Sequence, residues 1–104
     1  MAKLKAVFFI PLTDNDGRDL KPERIALETE MYVLFVGWTK LGVVEGAYRM
    51  ADGAQMVDHH VAYMVIFDES RVPELEDVLR RFKAKTAQES IYLEIQYNFE
   101  VRFI

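Results

Sequence analysis

The order in which two apolar periods alternate along this chain restricts its fold more than any other feature of the sequence. Apolar residues recur at every second position in strand-like segments and at helical spacing in helix-like segments. In chain order these are a strand at 3–12, a helix at 22–36, strands at 38–50 and 58–68, a helix that follows Ser70, and a strand at 91–103. The order β-α-β-β-α-β predicts an α+β fold of the ferredoxin-like kind, an antiparallel sheet with two helices on one face.

The ends of the two helices carry local signals. Pro22 suits the first turn of the first helix, where its missing N–H costs no hydrogen bond, and Gly37 is predicted to end that helix. Ser70 is predicted to cap the second helix, with Pro73 inside its first turn. In the strand at 38–50, Gly42 and Gly46 indicate a β-bulge or a close approach by a ligand or another chain.

The last strand-like segment leaves two arrangements open. Its apolar residues all have odd numbers, from Ile91 to Phe103. One long strand keeps this alternation, and so does a hairpin with a three-residue loop at 96–98 in which Asn98 takes the left-handed conformation. We favour the hairpin, and with it an extra C-terminal strand, because an unbroken strand would exceed the usual length.

The composition is that of a single globular domain, residues 1–104. Half of the chain is hydrophobic (51%), and it contains no cysteine. The absence of cysteine excludes a disulfide framework and a thiolate metal site, and it favours a cytoplasmic location. The apolar run at 6–10 is too short to cross a membrane. A net charge of −4 disfavours a nucleic-acid partner.

The first and third strands carry apolar side chains on both faces. In the first strand, for example, Phe8 and Ile10 lie on one face, while Val7 and Phe9 lie on the other. Two helices can cover only one face of the sheet. The simplest cover for the other face is a second copy, so we expect a homodimer or a higher oligomer.

His59 and His60 form the most reactive pair in the sequence. Neighbouring strand residues point to opposite faces, so the two cannot easily bind one metal ion in regular strand geometry. Asp58 shares a face with His60, but no spaced His or Cys supplies the remaining ligands. We predict no metal site and no cofactor. Either histidine is a candidate catalytic acid or base, because histidines titrate near neutral pH.

Polar residues also gather where the second helix meets the last strand. Gln88 and Glu89 are candidates for a small polar site, with Glu89 as base or hydrogen-bond acceptor. The alternative, which we favour, is that they satisfy the backbone groups at the helix end.

Three aromatic residues with polar groups are candidates for ligand binding. Trp38 and Tyr48 are predicted to share a face of the second strand, and Tyr63 lies in the third. Such side chains line pockets or stack on flat ligands, but they are also common in cores and dimer interfaces.

The run TAQESIY at 86–92 resembles a segment of a group of small bacterial proteins of unknown function. In that group a Gln-Glu-Ser/Ala-hydrophobic run leads from the second helix into the final strand. The residue before the Gln is usually Gly, whereas this chain has Ala87. The similarity lies mainly between Val72 and Glu94, with a looser likeness around 38–48. The resemblance implies a bacterial ferredoxin-like protein and implies no activity.

Familiar catalytic signatures are absent from the sequence, including the phosphate-binding, dinucleotide, hydrolase and metalloprotease motifs. We therefore expect a non-catalytic, self-associating module that binds a small ligand or a protein partner. The alternative is a small cofactor-free enzyme, an isomerase or oxygenase of the dimeric α/β-barrel kind. That enzyme would use His59 or His60 as its base, in a pocket lined by Tyr48, Trp38 and Glu89.

Overall fold

The computed structural model describes residues 3–104. The elements in chain order are β1 Lys3–Pro11, α1 Lys21–Phe35, β2 Thr39–Arg49, β3 Gln55–Asp68, α2 Val72–Lys85 and β4 Leu93–Gln96, with a short 3-10 turn at Glu69–Arg71. The sheet has the order β2-β3-β1-β4, and every neighbouring pair is antiparallel. This topology confirms the predicted α+β, ferredoxin-like fold.

The core lies between the two helices and one face of the sheet. Its buried strand residues are Leu4, Ala6, Phe8, Ile10, Val61, Tyr63, Val65 and Phe67, and its buried helix residues are Leu27, Met31, Phe35, Leu75, Val78, Leu79 and Phe82. β1 pairs with β3 on one side and with β4 on the other. It is therefore an inner strand, which explains the apolar residues on both of its faces.

The opposite face of the sheet, which we call the open face, is apolar and is not covered by a helix. Val7 and Phe9 from β1 and Met64 and Ile66 from β3 lie there, each partly exposed. The ring of Tyr92 stacks on Phe9 with centroids 4.5 Å apart. The uncovered apolar face is thus confirmed, while its burial against a second copy stays a prediction.

Two predicted helix-end residues have other roles. α1 ends at Val36, which takes the left-handed conformation (φ 71°) that was expected of Gly37. Ser70 lies inside the 3-10 turn, and Arg71 occupies the cap position of α2 without a side-chain cap bond. The prediction for Ser70 is wrong because the extra turn moves the start of α2 along the chain. Pro73 lies in the first turn as expected.

A bulge in β2 reverses the expected relation between two aromatic residues. The register with β3 shifts between Lys40 and Gly42, and Gly42 has a φ of 126°. The bulge predicted at Gly42 is confirmed. Its extra residue reverses the alternation, so Trp38 packs on the helix side against Tyr63, whereas Tyr48 lies on the open face opposite Met56. The prediction that Trp38 and Tyr48 share a face is therefore wrong.

The C-terminal segment does not form the expected hairpin. β4 ends at Gln96, and Asn98 has a φ of 56°, the left-handed conformation expected at the loop. Within the part of the chain that the structure describes, residues 99–104 pair with no strand. An alternating pattern indicates a strand, but a strand also needs a neighbour with free backbone groups.

None of the helices in residues 3–104 is both long and apolar enough to cross a membrane.

Candidate functional site

A groove of about 370 Å³ lies between α1 and the bulged start of β2. Its wall includes Leu12, Arg24, Glu28, Lys40, Val43 and Val61. The bulge shapes this groove. Residues three apart in a regular strand lie on opposite faces of the sheet, but the extra residue of the bulge places both Lys40 and Val43 on the helix side.

Glu28 is the carboxylate of the groove wall, and the buried Tyr63 holds it from the core side. The Tyr63 hydroxyl donates a hydrogen bond of 2.5 Å to Glu28 Oε2, and the ammonium of Lys40 lies 3.1 Å from the same oxygen. The Glu28 side chain is only 16% exposed. Burial, and then the hydrogen bond to Glu28, raise the pKa of Tyr63 well above its ordinary value. The phenol therefore stays protonated as a donor to the carboxylate.

Two aromatic rings complete the surroundings of the Lys40 ammonium. Trp38 packs edge-on against Tyr63, with ring centroids 5.8 Å apart. Lys40 Nζ lies 5.6 Å from the centroid of Trp38 and 5.9 Å from that of Tyr63. A carboxylate with two aromatic rings favours a positive charge at this point. We call Glu28, Trp38 and Tyr63 the cation box.

Arg24, also in the groove wall, links α1 to the end of β1. Its Nη1 donates to the carbonyl oxygens of Pro11 (3.2 Å) and Leu12 (2.8 Å), and its Nη2 lies 3.6 Å from Asp19 Oδ1. These contacts hold the end of β1 against α1. The guanidinium is thus engaged in fixing the shape of the groove.

The two histidines lie on opposite faces of the sheet, as expected from their alternation. His59 Nε2 lies 3.0 Å from Glu45 Oε2 in an exposed pair. His60 lies on the open face with its ring 6.2 Å from that of Phe9. Burial lowers the pKa of His60, and the charge of Asp58 opposes that shift. Among residues 3–104, no group of three or more His, Asp or Glu side chains is placed to hold a metal ion.

Gln88 satisfies the end of α2. Its backbone N–H donates to the Lys83 carbonyl at 3.0 Å, and its side-chain amide donates to the Thr86 carbonyl at 3.3 Å. These bonds support the interpretation of Gln88 as a helix-end residue. Glu89 is exposed to solvent.

The pocket that the enzyme alternative requires does not form within one chain. Trp38 lies on the helix side, while Tyr48 and His60 lie on the open face and Glu89 follows α2. Of the predicted ligand-binding residues, only Trp38 and Tyr63 come together. Tyr48 instead covers Gly46, whose missing Cβ would lie 2.9 Å from the Tyr48 hydroxyl.

Glu28 and Lys40 were not expected at the site. A signal for Glu28 exists in the spacing of α1, because it lies three residues before Met31 and seven before Phe35, both of which are buried. A carboxylate on the buried stripe of a helix needs a partner. Lys40 carries no such signal, since its position depends on the bulge.

Neither a family model nor a curated protein sequence matches this chain. Solved structures do match. A phage SAM lyase in complex with S-methyl-5′-thioadenosine has a TM-score of 0.68 at 17% identity, over 92% of this chain and 81% of the lyase. The divalent cation tolerance protein CutA1 of Thermus thermophilus has a TM-score of 0.69 at 13% identity, over 96% of this chain and 87% of its own. CutA1 of Ehrlichia chaffeensis has a TM-score of 0.65 at 7% identity, over 98% and 87%. At these identities the likeness establishes the shared ferredoxin-like fold.

Proposed function

We propose that the protein is a self-associating module that binds a small, positively charged molecule in the groove beside α1. The observation that carries this proposal is the cation box, in which Glu28 and two aromatic rings already hold the ammonium of the protein's own Lys40. The box is therefore built for a cation, and Lys40 is the cation that occupies it in the ligand-free chain.

Lys40 is able to leave the box when a ligand arrives. Its side chain is 49% exposed, and a four-carbon stem lets the ammonium turn into solvent. A ligand cation would then take over the contact with Glu28 and the faces of the two rings. Cation–π contacts contribute about 0.5–2 kcal/mol each, depending on how far the cation is desolvated.

The size of the groove indicates a compact ligand. A volume of about 370 Å³ falls at the lower end of the range for small-molecule sites, about 300–1,000 Å³. The phage SAM lyase that shares this fold holds S-methyl-5′-thioadenosine. S-adenosylmethionine carries a sulfonium cation, and S-adenosylhomocysteine is the neutral thioether that lacks only the S-methyl group, so the two form a matched pair of probes for the box.

Isothermal titration calorimetry with these two probes tests the proposal. We expect S-adenosylmethionine to bind more tightly than S-adenosylhomocysteine, and Glu28→Gln to weaken binding of S-adenosylmethionine by about tenfold or more, which corresponds to about 1.4 kcal/mol. The matched control is Glu69→Gln, which changes an exposed carboxylate outside the groove. Equal affinities for the two probes, or no effect of Glu28→Gln, would contradict the proposed cation site.

A second candidate function is cleavage of the bound sulfonium compound. It is favoured by the Glu28 carboxylate in the groove wall, which would act as the base, while the buried Tyr63 hydroxyl holds that carboxylate in place. Glu28 would take a proton from the carbon next to the one bonded to sulfur, and the carbon–sulfur bond would break with its electron pair going to sulfur, which yields S-methyl-5′-thioadenosine and an unsaturated amino acid. Formation of both products from S-adenosylmethionine, lost in Glu28→Gln, would support this activity. Binding without formation of any product would exclude this second candidate and keep the binding function as the proposal.

Self-association is supported by the open face. Its apolar side chains form one continuous strip across β1 and β3, with Phe9 and Met64 at its centre. Exposed apolar strips of this kind usually mark an interface. A role in divalent-cation binding is not proposed, because residues 3–104 contain no cluster of metal ligands.

A further inference from the structure

The C-terminal segment, residues 99–104, has the alternating sequence pattern of a β-strand but pairs with no strand among residues 3–104. Glu100 and Arg102 contact each other at 2.8 Å, as residues two apart do on one face of an extended chain. Val101 and Phe103 alternate with them, and they are 43% and 96% exposed. The segment therefore alternates polar and apolar residues, and the described part of the chain, residues 3–104, leaves its apolar side chains largely uncovered.

The opposite edge of the sheet offers a free strand. β2 pairs with β3 on one side only, and it is 11 residues long, whereas β4 at the other edge has 4. After the bulge, β2 runs in regular register from Val43 to Arg49. An edge of this length leaves a row of unpaired backbone groups, which is a template for strand addition.

One chain cannot use its own C-terminal segment to cover its own β2. The segment leaves the sheet beside β4, and β1 and β3 lie between β4 and β2. Three strand spacings of about 4.8 Å separate the two edges by about 14 Å across the sheet. Only residues 97–98 join β4 to the segment, and at about 3.3 Å per residue this link is too short to bring residue 99 to the edge of β2. A segment 99–104 that lies along β2 must therefore come from another molecule.

We propose that residues 99–104 of one copy add as a strand to the free edge of β2, over residues 43–49, in a second copy. Each copy then uses two different surfaces, so the contact is head-to-tail, and we propose that it closes into a ring, as such contacts do when the rotation between copies closes. The pairing satisfies backbone groups of β2 and buries Val101 and Phe103. The Glu100–Arg102 pair is neutral overall, so it imposes no charge on the edge it meets.

The added strand would also complete the groove. Val43 is part of both the groove wall and the free edge of β2. A neighbouring chain laid along this edge therefore extends the groove wall beside the cation box. This inference shares with the proposed function only the expectation that copies associate, and it is independent of the ligand.

Cross-linking tests the contact directly, because the chain has no cysteine of its own. Two single-cysteine proteins, Val101→Cys and Ala47→Cys, would be mixed and treated with a short bismaleimide. We expect a mixed cross-linked dimer as the main product. The matched control replaces Ala47→Cys with Ala84→Cys, an exposed alanine on α2. Equal cross-linking to both positions would overturn the proposed pairing.

Native mass spectrometry of a chain that stops after Asn98 supplies the second measurement. The removed residues lie outside the core, so the truncated chain is expected to keep its circular dichroism spectrum and to lose the ring. An unchanged subunit number in the truncated chain would overturn the strand addition. The calorimetric test of Glu28→Gln reports on the cation box separately, so the two proposals can fail independently.

Discussion

The Tyr63 hydroxyl donates a hydrogen bond of 2.5 Å to Glu28, which joins the middle of β3 to the middle of α1 through the core layer. Tyr63 is completely buried, and its ring stacks on Phe8 at 5.7 Å. The bond therefore has two roles. It satisfies two polar groups in an apolar layer, and it fixes the carboxylate that faces the groove.

Tyr63→Phe should destabilise the protein although it keeps the ring. The substitution removes the donor and leaves Glu28 with Lys40 alone, and an unsatisfied buried polar group costs about 1–3 kcal/mol. Urea denaturation followed by circular dichroism measures the loss. The control is Tyr32→Phe, which makes the same change at an exposed position of α1 and should have almost no effect. Equal stability of the two variants would show that the bond to Glu28 contributes nothing.

The stability of the fold should fall in mild acid because of His60. Burial lowers its pKa in the folded state, so the unfolded chain takes up a proton at a higher pH than the folded chain. The contribution of His60 is therefore present above the ordinary histidine pKa of about 6.5 and is lost as the pH falls through the lowered value.

Urea denaturation between pH 8 and pH 5 measures this dependence. We expect His60→Gln to lose less stability than the wild type across that interval. His59→Gln changes the neighbouring histidine on the other face and is the control. A wild-type curve parallel to that of His60→Gln would contradict the role assigned to His60.

Replacing either of two residues that have a left-handed backbone conformation by glycine should stabilise the protein. Val36 has a φ of 71° and Ala87 a φ of 54°, in a region that costs a residue with a Cβ about 1–2 kcal/mol. Glycine removes this cost but makes the unfolded chain more flexible by about 0.4–1 kcal/mol. We expect a net gain of about 0.5–1 kcal/mol for Ala87→Gly, and at least as much for Val36→Gly because valine is β-branched.

The control for these glycine variants is Ala84→Gly in the last turns of α2. There φ is helical, so glycine should cost about 1 kcal/mol. Thermal denaturation distinguishes the expected gain of stability in Ala87→Gly from the expected loss in Ala84→Gly. A loss of stability in Ala87→Gly similar to that in Ala84→Gly would show that the left-handed backbone carries no strain.

The order of periodicities was sufficient to predict the fold, because each element buries a face whose period is visible in the sequence. β1 shows this most clearly, since Leu4, Ala6, Phe8 and Ile10 face the core in unbroken alternation. The bulge at Gly42 was visible as a glycine, but its effect on Trp38 was not. One inserted residue moves the side chains on one side of it to the opposite face of the sheet. Only the register with β3 shows that the insertion falls between Trp38 and Tyr48.

The candidate site was predictable only in part. Trp38 and Tyr63 were identified from their chemistry, but Glu28 looks like any helix glutamate until Tyr63 is placed beside it. The histidines are candidate acids or bases by their residue type, but they lie on opposite faces of the sheet. Residues 99–104 carry the alternating pattern of a strand, but they form no strand and pair with none within residues 3–104.

Association through the open face should be lost when a charge is placed at its centre. Phe9 lies on that face between the ring of Tyr92 and that of His60, so Phe9→Asp would bury a carboxylate in any interface formed there. We expect the subunit number to fall in size-exclusion chromatography with light scattering. Val33→Asp places the same charge on the exposed side of α1 and should leave the assembly intact. An assembly that survives Phe9→Asp but not truncation after Asn98 would assign self-association to the edge of β2 alone, and the apolar open face would then need another partner.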